Sequence, residues 1–325
     1  MSHSRIEPRR VAVVGAGLAG LACARALAAA GAVATLFDKG RAAGGRLATR
    51  RGEGGQYDHG AQYLTARGPG FAAALAAAGA APWGGAGRWV GTPGMSALPR
   101  ALAAGLDLRA ARHVGSLAGG PGAWRLRHWD AALVRPGRPL PGIAPEEDGP
   151  FDAVALALPP AQAAPLVAAH APGLPPRLAA VRIAPCWTVM LGFAARLPLP
   201  DSLRPGTGPI GWAARDSSKP GRDAGRECWV VQAGPDWSRA WLEAAPAAVI
   251  PPLLQALADL AGGPLPALDH AAAHRWRYSL VEAPLGQPCL WDPASRLGLA
   301  GDWCLGGRAE AAFDSGEALA AALLG

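Results

Sequence analysis

The feature that most constrains this chain is a glycine motif placed directly after a short apolar run. Val11–Val14 predicts a buried parallel strand, and Gly15–Gly20 (GAGLAG) has the spacing GxGxxG. The following residues predict an alanine-rich helix, Leu21–Ala30, and then a second strand, Ala32–Phe37, which ends in Asp38. A strand, GxGxxG, a helix, a strand and an acid in this order are typical of a dinucleotide-binding βαβ unit.

The three glycines of this motif have separate physical roles. Gly15 permits a tight turn, Gly17 lets the backbone approach a pyrophosphate, and Gly20 lets the helix pack closely on the strand. The helix N-terminus favours the negative charge of the phosphates, and Asp38 can accept hydrogen bonds from an adenosine ribose. We therefore predict cofactor contacts from Gly15, Gly17, Leu18, Ala19, Gly20 and Asp38.

A second literal GxGxxG occurs at Gly206–Gly211 (GTGPIG). It follows Arg204 and Pro205 rather than an apolar strand, and it contains a proline, so we interpret it as a turn. The sequence then offers no second Rossmann site for a nicotinamide cofactor.

Two further segments favour FAD over NAD. In the glycine-rich loop Lys39–Arg46, Arg46 can clamp the two phosphates from the side opposite the first helix, although a solvated basic loop is the alternative. Near the other end of the chain, Leu297–Ala300 predicts a strand that ends in Gly301 and Asp302. A carboxylate there can bind a polyhydroxyl chain, which FAD has in its ribityl group and NAD lacks, although a plain βα unit is again the alternative.

A loop, Trp303–Arg308, and a helix, Glu310–Leu324, are predicted after this acid. The helix N-terminus would stabilise negative charge on a reduced flavin ring. The two segments add predicted cofactor contacts from Lys39, Gly45, Arg46, Gly301, Asp302, Glu310 and Ala311.

Six blocks spread from one end of the chain to the other carry a family pattern: Val11–Arg51, Tyr57–Arg67, Arg88–Ser96, Asp216–Arg222, His274–Tyr278 and Gly301–Glu310. The most specific parts are GAQY, HRWRY and GDWCLGGR. Together they resemble bacterial renalases, members of the flavin amine-oxidase-like superfamily. The resemblance implies non-covalent FAD and oxidation of isomeric dihydropyridine forms of NAD(P)H. The electrons would pass to O2, with NAD(P)+ and H2O2 as products.

Three residues depart from the pattern expected of that family. Asp216 stands where Asn is expected, which can change the polarity near Lys219. Phe313 stands in place of Trp and Asp314 in place of an apolar residue, and these two changes concern the packing of the final helix.

The cofactor motifs lie at both ends of the chain, so we expect a discontiguous cofactor domain. The expected fold is α/β, with a Rossmann-type FAD-binding domain (residues 1–69, 88–180 and 275–325) and an inserted mixed-sheet α+β substrate domain (residues 70–87 and 181–274), as in flavin amine oxidases and p-hydroxybenzoate hydroxylase. The other predicted elements are a helix within Arg88–Ala104, hairpin strands Leu106–Leu117 and Ala123–Trp129, a hairpin tip at Pro136–Pro150, strands Phe151–Leu158, Cys186–Phe193, Ile210–Arg215 and Glu227–Ala233, and helices Phe71–Ala80, Val249–Leu260 and one from Asp236.

Residues that follow Gly60 are candidates for contact with the flavin ring and the substrate. Ala61 and Gln62 lie where a small-residue backbone can approach the isoalloxazine, and Val114 on the first hairpin strand is included among the cofactor contacts. Arg67 can meet a substrate phosphate or carboxamide, or can form a surface salt bridge. The predicted substrate contacts are Tyr63, Leu64, Thr65, Arg67, Met95, Lys219, Trp276 and Tyr278.

Three of these candidates have open alternatives. Trp276 and Tyr278 share one face of a strand-like segment and can wall in the flavin ring or serve as core aromatics, whereas His274 is expected off that face in a structural role. Lys219 can contact a substrate phosphate, lie in a solvated loop, or correspond to the lysine that many amine oxidases place near the flavin through a water.

No catalytic side chain is predicted, because a dihydropyridine already carries a transferable hydride and the flavin supplies the redox chemistry. An amine must lose its proton before oxidation, which requires a base or an apolar cage. A flavin amine oxidase and a non-catalytic FAD-binding module remain the alternatives. The cations Arg67, Lys219, Arg222 and Arg275 favour an anionic dinucleotide substrate over an amine.

Composition excludes several other classes of protein. The formal net charge is +7, but the densest basic cluster belongs to the predicted nucleotide loop, so no nucleic-acid partner is expected. The five cysteines are scattered without CxxC spacing, which argues against a zinc site or other metal and for a reducing compartment. Arg9 and Arg10 imitate a secretory signal, but the patterned glycines and Arg25 that follow do not fit one. We expect a cytoplasmic protein without a membrane partner.

Overall fold

The structure is a computed structural model that describes residues 9–52, 54–135 and 137–325. Residues 1–8, at the start of the expected cofactor domain, and residue 136, at the start of the expected hairpin tip, lie outside the described residues. The helices in the described ranges are α1 Leu18–Ala29, α2 Pro69–Ala77, α3 Ala97–Ala103, α4 Pro160–Val167, α5 Leu174–Leu178, α6 Pro235–Ala240, α7 Pro246–Ala261, α8 Asp302–Leu305 and α9 Ala309–Leu324. None of them is long and apolar enough to cross a membrane.

The strands in the same ranges form two larger sheets, one three-stranded sheet and two short pairs. Their bounds are β1 Arg10–Val14, β2 Val33–Phe37, β3 Thr49–Gly52, β4 Gly55–Asp58, β5 Ala81–Pro82, β6 Trp89–Val90, β7 Asp107–Arg109, β8 Arg112–Ala118, β9 Trp124–Asp130, β10 Glu146–Phe151, β11 Ala153–Leu156, β12 Arg182–Phe193, β13 Ser202–Leu203, β14 Ile210–Arg215, β15 Glu227–Ala233, β16 Leu268–Ala283, β17 Leu290–Asp292 and β18 Leu297–Leu299.

The chain divides into two compact units. The first contains residues 9–45 together with Pro99–Arg182 and Ala283–Gly325, and the second contains Arg46–Leu98 and Ile183–Glu282. The expected boundaries differ, because residues 46–69, 88–98 and 275–282 pack in the second unit rather than with the Rossmann segments. One reason is Tyr57 of β4, which joins a core cluster with residues of β12 and β15; another is that β16 is a single long strand of the second unit's sheet.

The first unit is built on a six-stranded sheet with the order β17-β18-β11-β1-β2-β7. Five strands, β18, β11, β1, β2 and β7, run parallel to one another, and the edge strand β17 is antiparallel to β18. Helices α1 and α9 lie against each other, and a Cβ at Gly316 would overlap the backbone oxygen of Ala19. Phe313 is buried in α9 and Asp314 is exposed, so the helix accommodates both departures from the family pattern.

The expected strand Leu106–Leu117 is two strands. Its first part is β7, which pairs with β2, and its second part is β8, which pairs with β9 in the three-stranded sheet β10-β9-β8. The break is at Ala111, whose φ of +57° turns the chain from one sheet into the other. The expected hairpin tip at 136–150 is too long, because residues 146–150 belong to β10, and the strand expected at Phe151–Leu158 is the shorter β11.

The second unit is built on a five-stranded sheet with the order β13-β14-β15-β12-β16. Helix α7 contributes Val249, Leu253 and Leu257, spaced one helical turn apart, to a core cluster with residues of β12, β14 and β15. The predicted strands Ile210–Arg215 and Glu227–Ala233 are confirmed with their bounds. Residues 204–209 are neither helix nor strand, so the second GxGxxG is a turn that leads into β14, as expected.

Candidate functional site

The first unit contains a tight turn at the carboxyl end of β1. Gly15 has a φ of +101°, and its N–H donates to the backbone oxygen of Phe37 at 2.8 Å. A Cβ at Gly20 would overlap the backbone oxygen of Gly15, so only glycine allows this close approach. The helix begins at Leu18, three residues earlier than expected, and Gly20 therefore lies inside α1.

The N-terminus of α1 is open to a ligand. Within the described residues no side chain caps this first turn, and Gly17 is the extended N-cap residue. A Cβ at Gly17 would meet nothing within 4 Å. The first N–H groups of the helix have no intrahelical partner and carry the positive end of the helix dipole, so this turn suits a phosphate.

Asp38 is held at the carboxyl end of β2 by two backbone groups. Its Oδ2 accepts from the N–H of Ala16 and its Oδ1 accepts from the N–H of Gly40, each at 2.6 Å. Each carboxylate oxygen keeps further acceptor capacity, so both can still bind ribose hydroxyls. The loop after Asp38 returns to the motif: Gly44 N–H donates to the Ala16 oxygen at 2.9 Å, and Lys39 is exposed. A Cβ at Gly45 would lie 3.3 Å from the Cα of Gly17.

A second turn lies at the same edge of the sheet, at the carboxyl end of β18. Gly301 N–H donates to Ser315 Oγ at 3.0 Å, and Asp302 is buried at the first position of α8. The loop expected at Trp303–Arg308 is wrong in its first half, because residues 303–305 are helical and the Trp303 indole N–H is fixed on the Leu158 oxygen at 3.0 Å. Glu310 and Ala311 are buried at the start of α9.

Apart from Val114, the predicted cofactor contacts of the first unit thus lie along one edge of one sheet. Asp38 follows β2, the glycine turn follows β1, and Gly301 follows β18, with β11 between the last two. Neighbouring strands are about 4.8 Å apart, so the two turns are about 10 Å apart. Val114 is buried on β8 in the three-stranded sheet. The first residue of β8, Arg112, donates its N–H to the backbone oxygen of Asp38 at 2.8 Å.

The other predicted cofactor residues, Arg46, Ala61 and Gln62, belong to the second unit. Arg46 Nη1 donates to the Ser279 oxygen at 2.8 Å, and the N–H of Ala61 donates to the Arg46 oxygen at 2.9 Å. The Gln62 amide donates to the backbone oxygens of Asp58 and Gly60. Side-chain and backbone contacts within the second unit therefore fix the conformation of the segment from Asp58 to Gln62.

The second unit contains a buried charge cluster formed by Asp58, Asp216, Lys219 and Arg222. Lys219 Nζ lies 2.5 Å from Asp216 Oδ1 and 3.4 Å from Asp58 Oδ2, and Arg222 Nη2 donates to the same Asp58 oxygen. The four side chains are at most 1% exposed. Lys219 also donates to Gln62 Oε1 at 3.3 Å. The solvated-loop interpretation of Lys219 is therefore wrong.

The two carboxylates of the charge cluster titrate differently. Burial favours a raised pKa for Asp58, but Lys219, Arg222 and a hydrogen bond from the N–H of Met95 hold its pKa below the usual value. Burial raises the pKa of Asp216 above its usual value, although Lys219 opposes this. Met95 is fully buried and uses its backbone to bind Asp58 at 2.9 Å, which is a structural contact.

Three aromatic rings, those of His59, His274 and Trp276, pack together, and His59 directly follows Asp58 of the charge cluster in the sequence. The Trp276 ring stacks on His59 with centroids 5.3 Å apart, and its indole N–H donates to the His59 oxygen at 2.8 Å. His274 contacts both rings, so the expectation that it lies off the Trp276 face is wrong; residues two apart in a strand point the same way. Tyr278 is partly exposed on the same strand.

His59 was not among the predicted site residues, although it lies in the block Tyr57–Arg67. Burial, followed by the nearby His274 and Arg50, lowers the pKa of His59 to about 4, so its imidazole is neutral at pH 7. Its contacts with His274 and Trp276 form only because β16 packs beside it, so the local sequence does not indicate them.

The remaining substrate candidates divide into core and surface residues. Leu64 is 1% exposed and pairs through its backbone with Trp89, which makes it a core residue. Thr65 is partly exposed and Arg67 is exposed. Tyr63 is partly exposed, and its ring lies 5.5 Å from that of Trp212.

Comparisons with known proteins agree with this architecture. Residues 13–78 match the family model of the NAD(P)-binding Rossmann-like domain. The fold is similar to a candidate protoporphyrinogen oxidase from Exiguobacterium sp. 255-15, with a TM-score of 0.74 and 14% identity over 97% of this chain and 98% of that one. It is also similar to putrescine oxidase bound to putrescine, with a TM-score of 0.68 and 13% identity over 98% and 99% of the two chains.

A double mutant of putrescine oxidase gives the same TM-score, 0.68, at 14% identity over 98% of this chain and 99% of that one. At such identities the likeness establishes the fold. The expected fold class, a Rossmann-type α/β unit joined to a second α+β unit, is confirmed.

Proposed function

We propose that this protein is an FAD-dependent oxidoreductase that oxidises isomeric, wrongly reduced forms of dihydro-NAD(P). The electron acceptor is O2, and the products are NAD(P)+ and H2O2. The observation that carries the cofactor assignment is the order of three features along one edge of the first sheet. The substrate assignment is supported by the sequence resemblance to bacterial renalases.

The order of the features matches the order of the groups in FAD. Asp38 after β2 suits the adenosine ribose, the glycine turn after β1 suits the pyrophosphate, and Asp302 after β18 suits the ribityl hydroxyls. NAD has no ribityl chain, so it offers no such hydroxyls to the buried carboxylate of Asp302. We propose that FAD is bound without a covalent bond, since no Cys or His lies in a recognisable flavin-linkage motif. Acid precipitation should then release all the flavin, and colour left in the pellet would refute this.

The chemistry that bound FAD would supply is to accept a hydride from the dihydropyridine carbon and to pass the electrons to O2. The chain's own groups bind and orient, because a dihydropyridine needs no proton removed first. The position of Lys219 agrees with this: its Nζ lies 2.5 Å from Asp216 Oδ1 and 3.4 Å from Asp58 Oδ2, so it is paired with two buried carboxylates. The neutral, partly buried His59 likewise contacts the rings of Trp276 and His274.

A flavin amine oxidase is the second candidate. The similarity to putrescine oxidase bound to putrescine favours it. Against it, an amine needs a base or an apolar cage to become neutral before oxidation, and the lysine considered for such a role lies in the charge cluster.

One anaerobic experiment separates the candidates. The purified protein is mixed with a panel of dihydro-NAD and dihydro-NADP isomers, ordinary NADH, and putrescine, and loss of the oxidised flavin absorbance is followed. We expect rapid bleaching by a wrongly reduced isomer and slow bleaching by NADH and putrescine. Rapid bleaching by putrescine alone would establish the amine oxidase, and a flavin that no compound bleaches would indicate a non-catalytic FAD-binding module.

A further inference from the structure

The second unit contains a group of two arginines and two aromatic rings, here called the arginine–tryptophan cluster: Tyr63, Arg88, Arg204 and Trp212. The guanidinium carbon of Arg88 lies 4.7 Å from the Tyr63 ring centroid and 5.8 Å from that of Trp212. The guanidinium carbon of Arg204 lies 5.6 Å from the Trp212 centroid. One indole is therefore within reach of two cations.

Four separate segments of the unit bring this cluster together, one of which carries Tyr63. Trp212 is on β14 and is 6% exposed, Arg204 directly follows β13, and Arg88 directly precedes β6. Arg88 is partly exposed and Arg204 is exposed, so solvent reaches both cations. Arg88 Nη1 donates to the Gly84 oxygen at 3.2 Å, which fixes its position over the rings.

The cluster has hydrogen-bond donors and lacks the acceptors to match them. Trp212 Nε1 is buried and has no hydrogen-bond partner among the described residues. Neither Arg88 nor Arg204 forms an ion pair with any carboxylate that the structure describes. Two like charges near one ring repel each other, and a buried donor without an acceptor is costly, so the arrangement favours an anionic acceptor from outside the chain.

A second arginine on a tryptophan in the same unit shows what such a pair needs to be complete. Arg215 lies 4.9 Å from the Trp229 ring centroid, and its Nε lies 3.0 Å from Glu227 Oε1, while Asp201 binds its Nη1. The chain itself thus supplies carboxylates to Arg215. For Arg88 and Arg204 the corresponding anion does not come from the described chain.

We propose that the arginine–tryptophan cluster binds the phosphate groups of a nucleotide ligand. A guanidinium beside an aromatic ring can still donate through its remaining N–H groups, and their planar arrangement matches two oxygens of a phosphate. The anionic character of the ligand follows from the cluster alone. Its identity as a nucleotide rests on the proposed function.

The test is a calorimetric titration of the flavin-bound protein with ADP-ribose, which has the phosphates of the substrate but no ring to oxidise. Arg88→Gln and Arg204→Gln each remove a charge-assisted contact, so each should weaken binding about 10-fold or more. Arg196→Gln is the matched control, because Arg196 is a 73% exposed arginine of the same unit and should leave affinity unchanged.

Two further ligands identify the recognised group. Inorganic pyrophosphate should bind and should lose affinity in the same two arginine variants, whereas adenosine should not bind measurably. Equal ADP-ribose affinity in the wild type, Arg88→Gln and Arg204→Gln would overturn the proposal, as would adenosine binding as tight as that of ADP-ribose. These results are independent of flavin bleaching, so failure of the phosphate site and failure of the proposed reaction are distinguishable.

Discussion

Replacement of Lys219 tests whether the charge cluster is structural. Lys219→Met keeps the length of the side chain and removes one of two cations, which leaves Asp58 and Asp216 buried with Arg222 alone. Removal of one partner of a buried ion pair costs about 3–5 kcal/mol. A domain of ordinary stability has about 5–15 kcal/mol in total, so the loss should be a large part of it.

The second carboxylate makes the prediction specific. In Lys219→Met the cluster carries one excess negative charge, and Asp216 is the group on which burial already raises the pKa. Asp216→Asn removes that charge, and the double variant then contains the balanced pair Asp58 and Arg222. We expect the double variant to be more stable than Lys219→Met alone, with a coupling energy of about 1–3 kcal/mol. Asn is also the residue expected at position 216 from the family resemblance.

The measurement is urea unfolding followed by tryptophan fluorescence at pH 7, with a common m-value. Arg196→Met is the control, since Arg196 is a 73% exposed cation of the same unit and belongs to no predicted site. In Lys219→Met the folded state should bind a proton at Asp216 more tightly than the unfolded state does. Its stability should therefore fall as the pH rises from the ordinary carboxyl pKa through the raised one.

The reasoning about the charge cluster would be refuted by either of two results. One is a loss of less than about 1 kcal/mol in Lys219→Met, which is the range of an exposed ion pair. The other is a double variant no more stable than the single one.

The remaining predictions concern the edge of the first sheet that carries the predicted cofactor contacts and the partly buried imidazole of His59. Asp302→Ala should weaken FAD binding about 10- to 100-fold, because hydrogen bonds to charged groups contribute about 1.5–3 kcal/mol; an unchanged dissociation constant in a flavin titration would contradict the ribityl assignment. Gly20→Ala should lower the free energy of unfolding by about 1–3 kcal/mol, because its Cβ overlaps the Gly15 oxygen, whereas Gly17→Ala should fold normally and lose FAD affinity; equal stabilities of the two variants would contradict the packing argument. The pKa of His59 is about 4 when folded and about 6.5 when unfolded, so acid protonates the unfolded chain first and stability falls by up to about 3 kcal/mol between these pH values. His59→Gln should flatten this part of the stability profile, and a profile as steep as that of the wild type would show that another group is responsible.

Local pattern was enough to predict the glycine turn and several strands. A few adjacent residues determine both the β-branched strand and the glycine turn at Gly15 that follows it. The order strand, turn, helix, strand and acid can therefore be read from the local sequence. The same holds for Ile210–Arg215 and Glu227–Ala233, whose bounds agree with the sequence prediction. The strand expected from Leu106 to Leu117 failed at Ala111, because a single residue with positive φ leaves no signal in the hydrophobic pattern.

Only the tertiary structure decided the role of Lys219. Its neighbours Ser218 and Pro220 are typical of a solvated loop, yet Asp58 lies 161 positions earlier and closes on its ammonium. The same is true of His59, whose ring packs with residues more than 200 positions away on β16. The arginine–tryptophan cluster likewise combines residues from four segments. Burial and charge pairing depend on which distant segments meet, and the pattern of adjacent residues carries no information about that.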